Sequence, residues 1–500
     1  MTARRTSGYA LVAAAFGAPG AVALAADPVP LSYPAVLSAV AAANPTAAAA
    51  ARRAEAAQGA YLSSRGVFDP NYLASAYWRT ERQYQFLPYE FRSVQRSWDL
   101  LNGIVGVTGT GTSYSLTGGL SYFYTDTVAT QNTVGQGLPG SVVTDLNTTT
   151  DAYTTRMDLT ITQQLLRGSR LAYTLQSVRE ARADADVAEL VAQAESQRAL
   201  RDTAAAYWLW TLEEGVAGIE ADARAIAEED VRIAGIQVQG GTLASAELAR
   251  RRAQLALTQT TALAARLRAE AAEDLVQAAM GEDPGIDRVP ATQPGEAMAI
   301  TLDAAKVLEA ALAENPDIQA AKSLADARQL TVAGAKAGRM VGLSTTLQAG
   351  VAAQDVLPSS SAEGIFQEDN LPYFRIGADL LVPLGNRAAR GEVDRATGDA
   401  AAATSDADAL RLDVQRQVAT ELRNLDAAQA RVRAADDRVA ALTEALTAEE
   451  ASLARGGSHP EIVLVQRRDL TLARVEALRA RTDWRTAEAA LLALQGQLGP

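Results

Sequence analysis

Residues 31–58 read LSYPAVLSAVAAANPTAAAAARRAEAAQ, and residues 302–329 read LDAAKVLEAALAENPDIQAAKSLADARQ. Displaced by 271 residues, Leu31 falls on Leu302, Val36 on Val307, Leu37 on Leu308, Asn44 on Asn315, Pro45 on Pro316 and Gln58 on Gln329. Alanine matches carry little weight where roughly one residue in five is alanine, but an Asn-Pro pair at a set distance from Val-Leu does not follow from composition. The chain reads as an internal duplication. Further on, Gly240-Gly241 and Gly456-Gly457 each break a long helical pattern, followed by Leu248 and Leu464 and by the pairs Arg251-Arg252 and Arg467-Arg468. Each copy runs helix, irregular segment, long helix, Gly-Gly turn, helix.

Length then limits the architecture. The helical patterns over residues 168–239 and 388–455 would span ~108 Å and ~102 Å, too long for a compact globule. Residues 242–280 give ~58 Å, 315–338 ~36 Å, 458–497 ~60 Å and 44–66 ~35 Å. Stacking 242–280 on 315–338, and 458–497 on 44–66, makes each short pair match a long helix and brings the chain ends together in the middle of a rod. Leu425, Ala428, Val432, Ala435, Val439, Leu442 and Leu446 recur at steps of three and four, a coiled-coil seam that needs another long helix as partner.

Between the helices the period changes to two. Val341, Leu343, Thr345, Leu347, Ala349 and Val351 alternate with Gly342, Ser344, Thr346, Gln348 and Gly350. After a polar loop over 355–370, Phe374, Ile376, Ala378 and Leu380 alternate with Tyr373, Arg375, Gly377 and Asp379. In the first copy Met157, Leu159 and Ile161 oppose Arg156, Asp158, Thr160 and Thr162. One face apolar and one polar suits a transmembrane barrel, with Arg156, Asp158, Arg375 and Asp379 facing the lumen. The first β region, about 71–166, is longer, and includes 72–80 and a stretch with Tyr114, Leu116, Leu120, Tyr122 and Tyr124 on one face. The number of crossings must be even. The expectation is that the first and last stretches cross while the middle extends outside the cell; the alternative is an added hairpin. Four strands cannot close a barrel, and lipid does not tolerate open edges, so three chains would supply twelve strands.

Composition removes most other classes. With 59 acidic against 46 basic residues the net charge is −13, a poor match to nucleic acid. Cysteine is absent and histidine occurs once, which excludes thiol chemistry, disulfides and nearly all zinc sites. No catalytic, cofactor or metal residue is expected. Arg4 and Arg5, the apolar run over 9–24 and Ala23-Leu24-Ala25 form a signal peptide over 1–25, too short and too interrupted by Gly17, Pro19 and Gly20 for an anchor. No later stretch reads as a membrane helix. The mature chain divides into repeats over 26–299 and 300–500, the first ending in a polar linker over 281–299, the second with a β hairpin over about 340–385.

Thr162-Gln163-Gln164-Leu165-Leu166-Arg167-Gly168, Val382-Pro383-Leu384-Gly385-Asn386-Arg387 and Tyr207-Trp208-Leu209, with the duplicated opening, resemble the TolC-type outer membrane efflux protein family over nearly the whole mature chain. The resemblance implies a mainly α protein with membrane β structure: a homotrimer with a twelve-stranded transmembrane β-barrel, four strands per chain, continued by a long α-helical coiled-coil tunnel in the periplasm. It implies a passive exit duct of a tripartite efflux or type I secretion system, coupled by a periplasmic adaptor to an inner-membrane pump. The partners are outer-membrane lipid and these proteins, not nucleic acid; cofactors are none and enzyme activity is not expected. Lacking a cysteine after the signal, the chain resembles the unlipidated branch. Gly240, Gly241, Thr242, Gly456, Gly457 and Ser458 would form the tips that meet the adaptor, although valine is common where Gly240 and Gly456 stand. Val463 and Gln466 occupy gate positions that are often aspartate, so an anionic ring at that height is not implied. Glu247 keeps an acidic gate position, and His459 stands where the family has a gate-holding arginine. The sharper expectation pairs Glu247 with His459 of a neighbouring hairpin in a protonation-tuned contact; a solvated surface histidine beside Pro460 is the plainer reading and stands ahead of it. The rival functions are a periplasmic coiled-coil adaptor or scaffold without membrane insertion, which would need one helical hairpin, and an exported carboxylate enzyme, for which no acidic pair stands out.

Overall fold

The computed structural model describes residues 29–85, 90–133, 142–283, 286–295, 303–367 and 370–499; the leader expected over 1–25 lies outside them. The first half contains β1 (Val29–Leu31), α1 (Tyr33–Ala43), α2 (Pro45–Arg65), β2 (Asn71–Gln85), β3 (Glu90–Val107), β4 (Thr112–Thr133), β5 (Val142–Gln164), α3 (Leu171–Thr174), α4 (Gln176–Gln239) and α5 (Ser245–Ala279). After β6 (Arg288–Pro290) the second half contains α6 (Ala304–Glu314), α7 (Pro316–Gly338), β7 (Gly342–Asp355), α8 (Pro358–Gly364), β8 (Leu371–Leu381), α9 (Arg387–Ala454) and α10 (Pro460–Leu494). The 64 residues of α4 and 68 of α9 correspond to rods of roughly 100 Å.

The Asn-Pro pairs are helix splices. Asn44 accepts from the backbone N–H groups of Thr46 (3.0 Å) and Ala47 (3.1 Å), capping α2, while its amide donates to the Ala279 carbonyl at the end of α5 (2.8 Å). Asn315 accepts from Ile318 N–H (3.1 Å), capping α7, and donates to the Leu494 carbonyl at the end of α10 (3.1 Å). Proline follows in each case because the first helical turn has no use for that N–H. Glycines in the left-handed conformation close the joints, Gly281 at φ +75° and Gly496 at φ +67°. A Cβ there would lie 2.8 Å from the Ala43 carbonyl oxygen or 3.0 Å from that of Glu314.

These splices correct the expected stacking: α5 continues into α2 and α10 into α7, each within its own half of the chain. Length cannot decide this, because the two long pieces and the two short pieces are nearly equal in span. Near the sheet, α2 packs on α4, α4 on α7 and α7 on α9; toward the other end α5 packs on α4, α4 on α10 and α10 on α9. Four helical rows therefore run along the rod.

Within the run Tyr33–Phe68 an 18-residue window of mean hydropathy 1.2 passes by length and composition for a membrane helix, contrary to the reading that no such stretch follows residue 25. Its apolarity is largely alanine, the Asn44-Pro45 joint divides it, and α1 and α2 both pack on α4. At this waist Val36, Val40, Tyr207, Trp210, Val276 and Leu498 are buried in one cluster. The Tyr207 hydroxyl donates to the Leu31 carbonyl and accepts from Thr292 N–H, both at 3.1 Å. It thereby ties down β1 and the chain just after β6; β1 and β6 pair in parallel, so the stretch read as a linker contains a strand. Along the expected coiled-coil seam Leu425, Ala428 and Val432 are buried with Ala480 and Trp484 of α10, and Ala435 packs against them.

Candidate functional site

Six strands form one sheet in the order β2-β3-β4-β5-β7-β8, all neighbours antiparallel. The sheet of one chain thus holds six strands where four were expected, and the added hairpin, the alternative reading, lies within it. The turn between β3 and β4 comes back to the helical end: Gly111, at φ +78°, accepts from Gln164 N–H (3.3 Å), and the Thr112 hydroxyl donates to Gln163 (2.5 Å). Both partners lie where β5 runs down toward α3. The signal for β3 was blurred because Leu100-Leu101 and Ile104-Val105 place apolar residues on both faces and erase the alternation.

Register resolves the faces. Tyr72, Ile104, Leu116, Leu159, Ala349 and Phe374 stand opposite one another in turn, one apolar row across all six strands. All but Ala349 are well exposed in the single chain. Six residues along the strands, Trp78, Trp98, Tyr122 and Tyr153 form a second row. The rings of Trp98 and Tyr122 are 6.0 Å apart and those of Tyr122 and Tyr153 4.8 Å. Aromatic side chains with an apolar body and a polar tip collect at the boundary between bilayer and water. The two rows are ~20 Å apart along the strands, or ~15 Å in height at a tilt of ~40°, so both fit within an apolar band about 25 Å tall with the aromatic row toward one margin. Sequence reading had Tyr122 but not its three partners, because the row exists only across strands.

The opposite face is polar. Arg156 lies across from Gly119 and Ala352, Asp158 from Thr117 and Gly350, Arg375 from Gln348 and Asp379 from Ser344. The guanidinium of Arg156 is 4.0 Å from the Asp158 carboxylate. Gly350 matters here, since a Cβ would collide with both Asp158 and the Tyr373 ring. At the sheet's lower margin the two junction motifs hand the chain to the helices. Leu165 N–H donates to the Leu343 carbonyl (2.8 Å). Gly385 and Asn386 turn with φ of +84° and +44°, and the Asn386 amide donates to the Arg339 carbonyl (3.0 Å).

The far ends of the hairpins are the tips. Gly240 is right-handed, with φ −78°, whereas Gly241 has φ +71°, and Thr242 donates N–H and hydroxyl to the Gln237 carbonyl (2.9 and 3.0 Å). In the second hairpin it is the first glycine, Gly456, that takes φ +78°, and Gly457 N–H bonds the Ser452 carbonyl (3.0 Å). The doublets that align in sequence are thus one residue out of step in conformation. Ser458 hydrogen-bonds Glu449. His459 is the exposed N-cap of α10, Val463 is buried, and the Gln466 Oε1 is buried without a hydrogen-bond partner among the described residues. Glu247 sits 3.4 Å from Arg250 and 3.7 Å from Arg251, and Arg251, 9% exposed, bonds Asp230 at 2.9 Å. Within the chain, Glu247 is thus gathered with arginines of its own helix.

The family model for outer membrane efflux proteins matches residues 307–497. No curated protein matches the sequence. Among solved structures, the chain is similar to the Campylobacter jejuni CmeC outer membrane channel, with 12% identity, TM-score 0.67, and coverage of 93% of this chain and 85% of that one. For the open state of the Neisseria gonorrhoeae MtrE outer membrane channel the values are 15%, 0.66, 93% and 89%. For the outer membrane protein VceC of Vibrio cholerae they are 16%, 0.63, 92% and 95%. Residues 307–497 are thus similar to the outer membrane efflux proteins, and the chain as a whole has the fold of these outer-membrane channels.

Proposed function

We propose that the chain is one subunit of a homotrimeric outer-membrane channel, a passive exit duct that receives cargo from an inner-membrane pump through a periplasmic adaptor, in tripartite efflux or type I secretion. The observation that carries this reading is the sheet: one face is largely apolar with an aromatic row, among the described residues neither edge strand has an outer partner, and its strands run directly into a rod of roughly 100 Å. A membrane sheet with unpaired edges leaves backbone N–H and C=O groups facing hydrocarbon, so it must close with further copies. The rod then reaches into the periplasm as a tunnel. Arg156, Asp158, Arg375 and Asp379 would line the lumen, keeping water continuous. Residues 1–25 would be the export signal, and the two repeats descend from one duplicated unit.

The tips at Gly240, Gly241 and Thr242 and at Gly456, Gly457 and Ser458 would meet the adaptor. Glu247, His459, Val463 and Gln466 lie just behind them and would form the mouth. Glu247 already faces Arg250 and Arg251 on its own helix, so a contact to His459 of a neighbouring copy would have to compete with them. Adaptor binding would favour the open arrangement by differential contact with the tips, and the pump would supply the energy. The reading is tested by taking the mature chain from the outer-membrane fraction and measuring its detergent-corrected mass by light scattering. A trimer is expected; a soluble periplasmic monomer would overturn the duct.

A further inference from the structure

We propose that three copies close a single barrel of eighteen strands, β8 of each copy pairing with β2 of the next, in place of the twelve that four strands per chain would supply. The proposal rests on the trimeric-channel reading. Its first support is that all six strands start or end on the helical side. β2 begins at Asn71, soon after α2 ends at Arg65, and β5 ends at Gln164 ahead of α3. The β3–β4 turn is anchored beside that exit through Gly111 and Thr112, and a Cβ at Gly111 would collide with the Gly168 carbonyl. β2 to β5 therefore make two complete hairpins across the membrane rather than one hairpin with an external flap.

The apolar faces agree. The row from Tyr72 to Phe374 crosses every strand without a charged residue, and Trp78 on the outermost strand continues the aromatic row. A hairpin of β2 and β3 displaced into water would carry Tyr72, Trp78, Leu100 and Ile104 there uncovered. Among the described residues β2 pairs only with β3 and β8 only with β7, so these are the two edges left to join. Their 15 and 11 residues are both long enough for a bilayer crossing.

The circumference supplies an independent argument. Three chains with four helical rows each make a twelve-helix tunnel of ~31–38 Å between axes across the middle, at 8–10 Å per helix. Strands ~4.8 Å apart and tilted by ~40° close at ~36 Å for eighteen and only ~24 Å for twelve. The larger barrel seats on the tunnel without a step. Its lumen is then no narrower than the tunnel, so the size limit for cargo moves from the membrane to the tips, and bulky cargo such as a polypeptide meets no second constriction on leaving.

The absence of cysteine makes the seam readable by engineered disulfides. Leu73→Cys, Ser75→Cys or Tyr77→Cys on β2 is combined with Tyr373→Cys, Arg375→Cys or Gly377→Cys on β8, and outer-membrane material is oxidised and run without reductant. At least one combination should give a covalent trimer ladder. A twelve-stranded closure would instead seat β8 against β4 and cross-link Arg375→Cys with Ser115→Cys or Thr117→Cys. That pattern in a detergent-extracted trimer would overturn the eighteen-stranded barrel and leave the duct standing, whereas a monomer would overturn both. Strand counting by electron cryomicroscopy of the unmodified trimer provides the second measurement, with eighteen expected and twelve fatal to the proposal.

Discussion

Asn44 donates its side-chain amide to the carbonyl of Ala279 at 2.8 Å, so that one residue ends α5 and begins α2. Losing it leaves the first N–H groups of one helix and the last carbonyl of another without that partner. Asn44→Ala should destabilise the chain by about 1–3 kcal/mol, the range for a lost cap together with an unsatisfied partner. Asn44→Asp keeps the cap acceptor but not the amide donor, and should fall in between. Apparent melting temperatures of the purified channel, ordered wild type, Asp, Ala, check this; an unchanged Ala variant would show that the splice contributes nothing.

The tip glycines differ in what they permit. Gly240 has a right-handed φ and Gly241 a left-handed one, and no close contact crowds a Cβ at either. Gly240→Ala should be neutral, whereas Gly241→Ala should cost about 1–2 kcal/mol through backbone conformation alone. In the second hairpin the sensitive residue should be Gly456. Proteolysis at the tips reads the difference: faster cleavage is expected for Gly241→Ala and Gly456→Ala, not for Gly240→Ala.

Adjacent residues of β5 should respond oppositely to charge. Leu159 belongs to the apolar row and Thr160 to the polar face opposite Gln348. Leu159→Arg should cost about 2–4 kcal/mol if it meets mid-bilayer and deplete folded protein from the outer membrane. Thr160→Arg should leave insertion intact. Equal loss for both would count against the assignment of faces.

Burial pushes the Glu273 carboxyl above its ordinary range, opposed by the hydrogen bond it accepts from Arg288 N–H at 2.9 Å. Gln277 also donates to it at 2.8 Å. A raised folded pKa means that the folded chain holds this proton more tightly than the unfolded one, so the stabilisation is complete below the unfolded pKa and is lost as pH rises through the folded value. Glu273→Gln should therefore melt higher than wild type at pH 7 and alike near pH 4. A difference independent of pH would point to packing instead.

Much of this arrangement was legible in local pattern. A 3.6-residue period held over a long segment belongs to that segment, so the expected 388–455 meets the observed Arg387–Ala454 almost end to end. The other long helix starts later than its pattern, at Gln176, because Arg167–Ser169 and Leu171–Thr174 form separate short turns. The apolar faces of β5, β7 and β8 were readable for the same reason, since a period of two needs no neighbour. β3 was not, because apolar doublets hide it. At the tips, aligning the two Gly-Gly pairs could not say which glycine is left-handed: that depends on where each preceding helix stops, and those ends differ by one residue. The sequence likewise singled out Glu247 and His459, while the folded hairpin gathers Glu247 with Arg250 and Arg251.

The amino-acid sequence alone determined the alternation of long helices and amphipathic strands and the positions of the turns, because each is a property of neighbouring residues. Only the tertiary structure decided which short helix continues which and how many strands join the sheet. Both depend on contacts between distant segments, Asn44 with Ala279 and Gly111 with Gln164, that lengths and periods leave degenerate and that a few hydrogen bonds and one glycine conformation resolve.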